Sequence, residues 1–192
     1  MANWASVSYA IEGPAETLKK IEEAIKHPVK EEGASPNWEG GVLLALGISI
    51  EEIDKACTRG FIQDVEPYMV GNALRFETEE AWGLQDFNEL LEKHFTDIKV
   101  YWVVEELGCE VYCTNDKEGK YFPERYWVDT CIDGGYESEY FETEEQALNW
   151  LADLTSGEVS TMNDVDEFNN RAERQCKDED NFIHIHKFDI EE

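Results

Sequence analysis

Residues 99–106 read Lys-Val-Tyr-Trp-Val-Val-Glu-Glu. In an extended chain Val100, Trp102 and Val104 point to one side, and Tyr101 and Val103 to the other. A strand that is apolar on both sides sits centrally in a sheet, or is covered on both faces. Such a strand cannot stand alone, so the flanking sequence must supply its neighbours and a covering layer.

The sequence just upstream fits that need. Residues 74–78 form a short alternating strand through Leu74, Phe76 and Thr78, and Glu79-Glu80-Ala81-Trp82-Gly83 makes an acidic corner. Leu84, Phe87, Leu90, Leu91 and Phe95 then recur at helical spacing over 84–95. The result is a β-α-β unit, and a second half lies at the start of the chain. Residues 4–12 alternate with Val7, Tyr9 and Ile11 on one face, Gly13-Pro14 breaks the strand, and Leu18, Ile21 and Ile25 mark a helix over 14–26. Residues 28–59 read as an insertion. It has an apolar turn at 42–47 and a short helix opened by the capping-box spacing of Ser49 and Glu52. Residues 60–70 read as a strand, held to an edge or a bulge by Pro67, and Gly71-Asn72 turns it into 73–79.

The expected fold class is therefore α+β: a ferredoxin-like β-α-β-β-α-β core over 1–106, carrying the inserted segment 28–59. Residues 107–192 read as an antiparallel meander, helices and a last strand, packed on the same sheet. Strands are expected over 121–130 and 136–141, separated by the turn Asp133-Gly134-Gly135. Ala147, Leu148, Leu151 and Leu154 mark one helix, and 164–174 a second. Phe76-Glu77-Thr78-Glu79-Glu80 recurs as Phe141-Glu142-Thr143-Glu144-Glu145, and both copies read as the end of a strand and the start of a helix.

Charge limits function more than any motif does. The 192 residues include 44 acidic and 16 basic side chains, a formal net charge of −28. Such a surface repels nucleic acid and anionic membrane. Tyr101, Trp102, Tyr112, Tyr126 and Trp127 lie on expected strands, but no basic groove accompanies them, which argues against RNA. The expected partner is a basic protein, which the chain could meet as an imitation of the phosphate backbone. No apolar run approaches the ~20 residues of a membrane span. The opening Met1-Ala2-Asn3-Trp4 lacks the blocks of a signal peptide, so a soluble cytoplasmic protein is expected.

Motifs for catalysis are sparse. The chain has no P-loop, dinucleotide fingerprint, nucleophile elbow or H-E-x-x-H sequence. Cys57, Cys109, Cys113, Cys131 and Cys176 include no C-x-x-C pair and read as reduced thiols. His27 and His94 fall near helix C-termini, where a cation is favoured. Asp129 and Asp133 touch a calcium-loop spacing, but Cys131 stands where an oxygen ligand belongs. His184 and His186 are the candidate metal ligands, since i and i+2 on a strand share a face. Their neighbours imply no third ligand, so no cofactor is expected. A non-enzymatic interaction module is the first reading. The alternative is a small-molecule-binding or hydrolytic enzyme using a pocket with His184, His186 or Cys113 beside a carboxylate.

The opening Met1-Ala2-Asn3-Trp4-Ala5-Ser6 resembles the M-x-N-W-C-S start of the YubB-like proteins, with Ala5 in place of the Cys. Phe76-Glu77-Thr78 through Trp82, the 84–95 helix and the closing Glu106-Leu107-Gly108 resemble the same family's F-x-T-x-W strand, helix and E-x-G strand end. The resemblance covers about residues 1–115. It implies the ferredoxin-like domain and the company of bacterial plasmids and phages, and it brings no catalytic residues.

Overall fold

A computed structural model describes residues 3–30, 35–63, 66–175 and 181–191. Among them are six α-helices and ten strands in two sheets, a mixed α+β arrangement. The chain divides into two compact units, 1–117 with 190–192, and 118–189. No helix among the described residues is long and apolar enough to cross a membrane.

The first unit begins with β1 (Trp4–Glu12) and α1 (Ala15–Lys26). Pro14 stands at the N-cap of α1, and the His27 N–H closes its C-terminus on the Glu23 carbonyl. The inserted segment carries α2 (Glu39–Ala45) and α3 (Ile50–Ile53), the latter capped by the Ser49 side chain accepting from the Glu52 N–H. Next come β2 (Gly60–Ile62), β3 (Tyr68–Val70), β4 (Ala73–Ala81), α4 (Phe87–His94), β5 (Lys99–Glu106) and β6 (Val111–Thr114). The sheet runs β6-β5-β1-β4-β2, with β3 also on β4, and β1 is antiparallel to both β4 and β5. The doubly apolar β5 is thus interior, between β1 and β6.

The strand expected over 60–70 is two pieces. β2 lies against residues 78–80 of β4 and β3 against residues 73–75. Pro67, just before β3, has no N–H to give the ladder. One apolar cluster joins Val7, Tyr9 and Ile11 of β1 to Leu18 and Ile21 of α1, Val42 and Leu43 of α2, and Phe87 and Leu91 of α4.

Two expectations in this unit need correction. β4 does not end at Thr78 but runs on to Ala81, because β1 pairs with it along its whole length, from Glu12 opposite Ala73 to Trp4 opposite Ala81. The turn then falls on Trp82 and Gly83, both with positive φ (63° and 86°), and α4 starts at Phe87 rather than Leu84. Phe76–Glu80 is accordingly all strand. Only its second copy changes from strand to helix.

The second unit contains β7 (Tyr126–Ile132), β8 (Gly135–Phe141), α5 (Glu144–Leu154), α6 (Met162–Gln175) and β9 (Phe182–Lys187). Its sheet is separate, ordered β8-β7-β9 and antiparallel throughout. The expectation of one shared sheet for 107–192 therefore does not describe these three strands. Only β6 and β10 (Asp189–Ile190) lie in the first sheet. Asp133 and Gly134, with φ of 51° and 78°, give the tight hairpin turn between β7 and β8. Thr143 and Gln146 form a full capping box on α5. Val128 and Ile183 of the sheet pack with Ala147 and Leu151 of α5 and Val165 of α6.

Candidate functional site

Side-chain parity sorts the three-stranded sheet into two unlike faces. Val128, Ile183, Ile185 and Phe141 join the helices in the core. The other parity brings Trp127, Asp129 and Cys131 of β7 beside Tyr140, Ser138 and Tyr136 of β8, and beside His186, His184 and Phe182 of β9. Tyr136 is 73% exposed and Tyr140 42%. The face against the helices is apolar on β7 and β9, and carries the exposed Glu137 and Glu139 on β8. The face remote from the helices is aromatic, with a carboxylate and two imidazoles at its centre.

The register makes this grouping. Asp129 lies directly opposite His184, one step along the ladder from the Trp127–His186 pair. His186 Nε2 is 2.9 Å from Asp129 Oδ1, and His184 Nδ1 is 3.5 Å from Asp129 Oδ2. The donor atoms of all three residues lie within 4.8 Å of one another. Aromatic stacking fixes both rings: Trp127 on His186 at 4.9 Å between centroids, and Phe182 on His184 at 4.5 Å. β9 is an edge strand, and Asn169 of α6 satisfies its outer backbone at Ile183, accepting from the N–H at 2.9 Å and donating to the carbonyl at 2.8 Å. That anchor holds the residue next to His184 in register.

The sequence brought His184 and His186 to one face, and the structure keeps them there. It missed Asp129. The i, i+2 spacing is local, whereas Asp129 joins the pair only because β9 docks on β7 rather than on β8. Of the thiols, Cys131 is on this face but buried, and the others described lie in the first unit. Cys113 is buried in the core of the first unit, and Cys109 is exposed, with its sulfur 2.8 Å from Asn3 Nδ2. Cys176 lies outside the described residues. His27 and His94 stand at the ends of α1 and α4, against Glu23 and Glu52. Among the described residues Asp129, His184 and His186 are the one grouping of three metal-binding side chains.

A second titratable cluster lies in the core of the first unit. Glu39 at the start of α2 and Glu80 of β4 are both fully buried. Glu80 Oε1 accepts from the Tyr9 hydroxyl at 2.6 Å and the Thr78 hydroxyl at 2.8 Å, and Oε2 accepts from the Gln85 N–H. Neither oxygen of Glu39 meets a donor at full hydrogen-bond geometry, and only the nearby Gly60 backbone and Thr78 hydroxyl ease a charge there. Burial first, and then the neighbouring Glu80 charge, hold the Glu39 carboxyl well above the usual carboxylate range. Burial raises Glu80 too, against the pull of its donors. The arrangement fits a neutral Glu39 acid donating to an ionised Glu80. Local pattern does not reveal it, since Glu39 reads as loop and Glu80 as the acidic start of a helix.

The chain also has a groove of about 760 Å³ beside α1, floored by Ala24, Leu46 and Phe95 and rimmed by Lys19, Lys20 and His27. It contains neither of the candidate histidines nor Cys113. Comparison with family models, with curated proteins and with solved structures finds no match to this chain.

Proposed function

We propose that this chain is a non-enzymatic interaction protein whose acidic surface receives a basic protein partner, and that the aromatic face of β7, β8 and β9 is the contact. One observation carries the reading. Tyr136 and Tyr140 are exposed in a unit, 118–189, that holds 19 acidic and 6 basic residues, a net charge of −13. An arginine or lysine over an aromatic ring gains about 0.5–2 kcal/mol. A strongly negative field also speeds the approach of a cationic partner and turns away anionic ones. In its sharper form, the carboxylates stand in for phosphates and the partner is a DNA-binding protein.

The test is binding of an arginine-rich peptide to the full chain. The affinity is expected to fall with added salt. The double variant Tyr136→Ala/Tyr140→Ala should weaken it by about threefold to thirtyfold, and Tyr136→Phe/Tyr140→Phe should keep it. Equal affinity for the alanine variant would contradict the reading.

The alternative, a small-molecule-binding or hydrolytic enzyme, has in its favour His184 and His186 beside the Asp129 carboxylate. The interaction reading stands ahead of it because that grouping lies on a sheet face and contributes no side chain to the groove beside α1. The order β5-β1-β4-β2, with α1 and α4 in the connections and antiparallel neighbours, supports a ferredoxin-like reading of residues 1–106. The kinship to the YubB-like proteins goes with that reading as a proposal.

A further inference from the structure

We propose that Asp129, His184 and His186 bind one divalent first-row transition ion, zinc in kind, on the aromatic face of the three-stranded sheet. Ligands about 2.0–2.1 Å from a zinc-sized ion, and roughly 90–110° apart around it, stand about 3–3.4 Å from one another. The two imidazole–carboxylate distances are 2.9 and 3.5 Å, and they fall on different oxygens of Asp129. Both imidazoles thus stand at about ligand–ligand distance from the carboxylate, and one donor atom from each of the three residues lies within 4.8 Å of the others, close enough to converge on one ion.

Donor type selects the ion. Two imidazoles and one carboxylate suit zinc, cobalt, nickel or ferrous iron, and they suit calcium and magnesium poorly because those ions take oxygen. Pre-organisation lowers the entropy cost of binding. Trp127 and Phe182 stack on the two rings, and Asn169 anchors the edge strand beside His184. The acidic unit around the site also concentrates cations. Three protein ligands leave at least one position of a four-coordinate ion open to water or to another molecule. This site does not depend on the partner reading. Its ligands are different residues from Tyr136 and Tyr140, so each idea can fail alone.

The experiment is titration of the full chain with Co²⁺ and Zn²⁺ in excess Mg²⁺, which occupies scattered carboxylates but competes poorly for imidazole. One tight equivalent is expected, with a cobalt ligand-field spectrum that zinc abolishes. Loss of groups that merely orient a metal ligand costs about tenfold to a hundredfold. Asp129→Asn, His184→Ala and His186→Ala should therefore each weaken binding by at least about tenfold, while His27→Ala and His94→Ala leave it unchanged. His184 has a side chain 52% exposed, so His184→Ala serves should His186→Ala not fold. A second readout needs no variant: bound Co²⁺ should shift and broaden the ring protons of Trp127 and Phe182 ahead of those of Trp150 and Phe168, on the helix side of the same sheet. Absence of a tight equivalent, retained affinity in His184→Ala, or no selective effect on Trp127 and Phe182 would overturn the proposal.

Discussion

Glu39 has two oxygens that meet no donor at full hydrogen-bond geometry and a neighbour, Glu80, whose oxygens accept three hydrogen bonds. As a carboxylate Glu39 would be a buried charge eased only weakly, by the Gly60 backbone and the Thr78 hydroxyl, a costly state. Burial first, then the Glu80 charge and the hydrogen bond that the acid can donate to Glu80, hold its proton firmly. The consequence for stability has a definite sign. An unfolded glutamate gives up its proton near pH ~4.3. The folded Glu39 keeps its proton above that value, so the folded state binds more protons. The stabilisation is complete below the unfolded value and is lost as pH rises through the folded one. Glu39→Gln should remove this slope, and it should unfold at higher denaturant than wild type at pH 8, because the amide donates to Glu80 without a charge to bury. Glu80→Gln should destabilise at every pH by about 1–3 kcal/mol, since the amide cannot serve all three donors. Denaturant melts of the three proteins from pH 4 to pH 9 check both. A Glu39→Gln protein with the wild-type slope would contradict the shared-proton account.

The two copies of Phe-Glu-Thr-Glu-Glu show how far local pattern reaches. At 141–145 the pattern and the structure agree: Thr143 caps α5 and Gln146 returns the bond. At 76–80 the same letters stay extended, because β1 holds β4 through Ala81. The same side chains take other roles there, with Thr78 donating to Glu80 in the core. Thr143→Ala should cost about 1 kcal/mol, and Thr143→Ser should recover most of it. Thr78→Ser should keep its hydroxyl bond, and Thr78→Val should lose it. Thermal melts of the four variants would separate a cap from a core donor. Element type was legible wherever periodicity was strong, as in β1, α1, β5 and α5. The split of 60–70 into β2 and β3, the late start of α4 and the separate second sheet were not, because each is set by a strand partner distant in sequence. Asp129 belongs with these: its parity was readable, but its nearness to His184 was not.

At the scale of the molecule, the charge of −28 is spread over two compact units. It sets what the chain attracts, but by itself it does not say where. Charge is a property of composition, and composition carries no address. In the proposed reading the address is the face of β7, β8 and β9. There two exposed tyrosines, Tyr136 and Tyr140, surround a carboxylate–imidazole centre in a unit of net charge −13. The groove beside α1 is the rival, because it has an apolar floor of Ala24, Leu46 and Phe95 and a rim of mixed charge, Lys19 and Lys20 with Glu16 and Glu23. The most direct measurement is an NMR shift map of the full chain titrated with an arginine-rich peptide. Shifts concentrated at Trp127, Asp129, Tyr136, Tyr140, Phe182 and His184 are the predicted result. Shifts scattered over acidic residues of both units, or gathered at Lys19, Leu46 and Phe95, would contradict it.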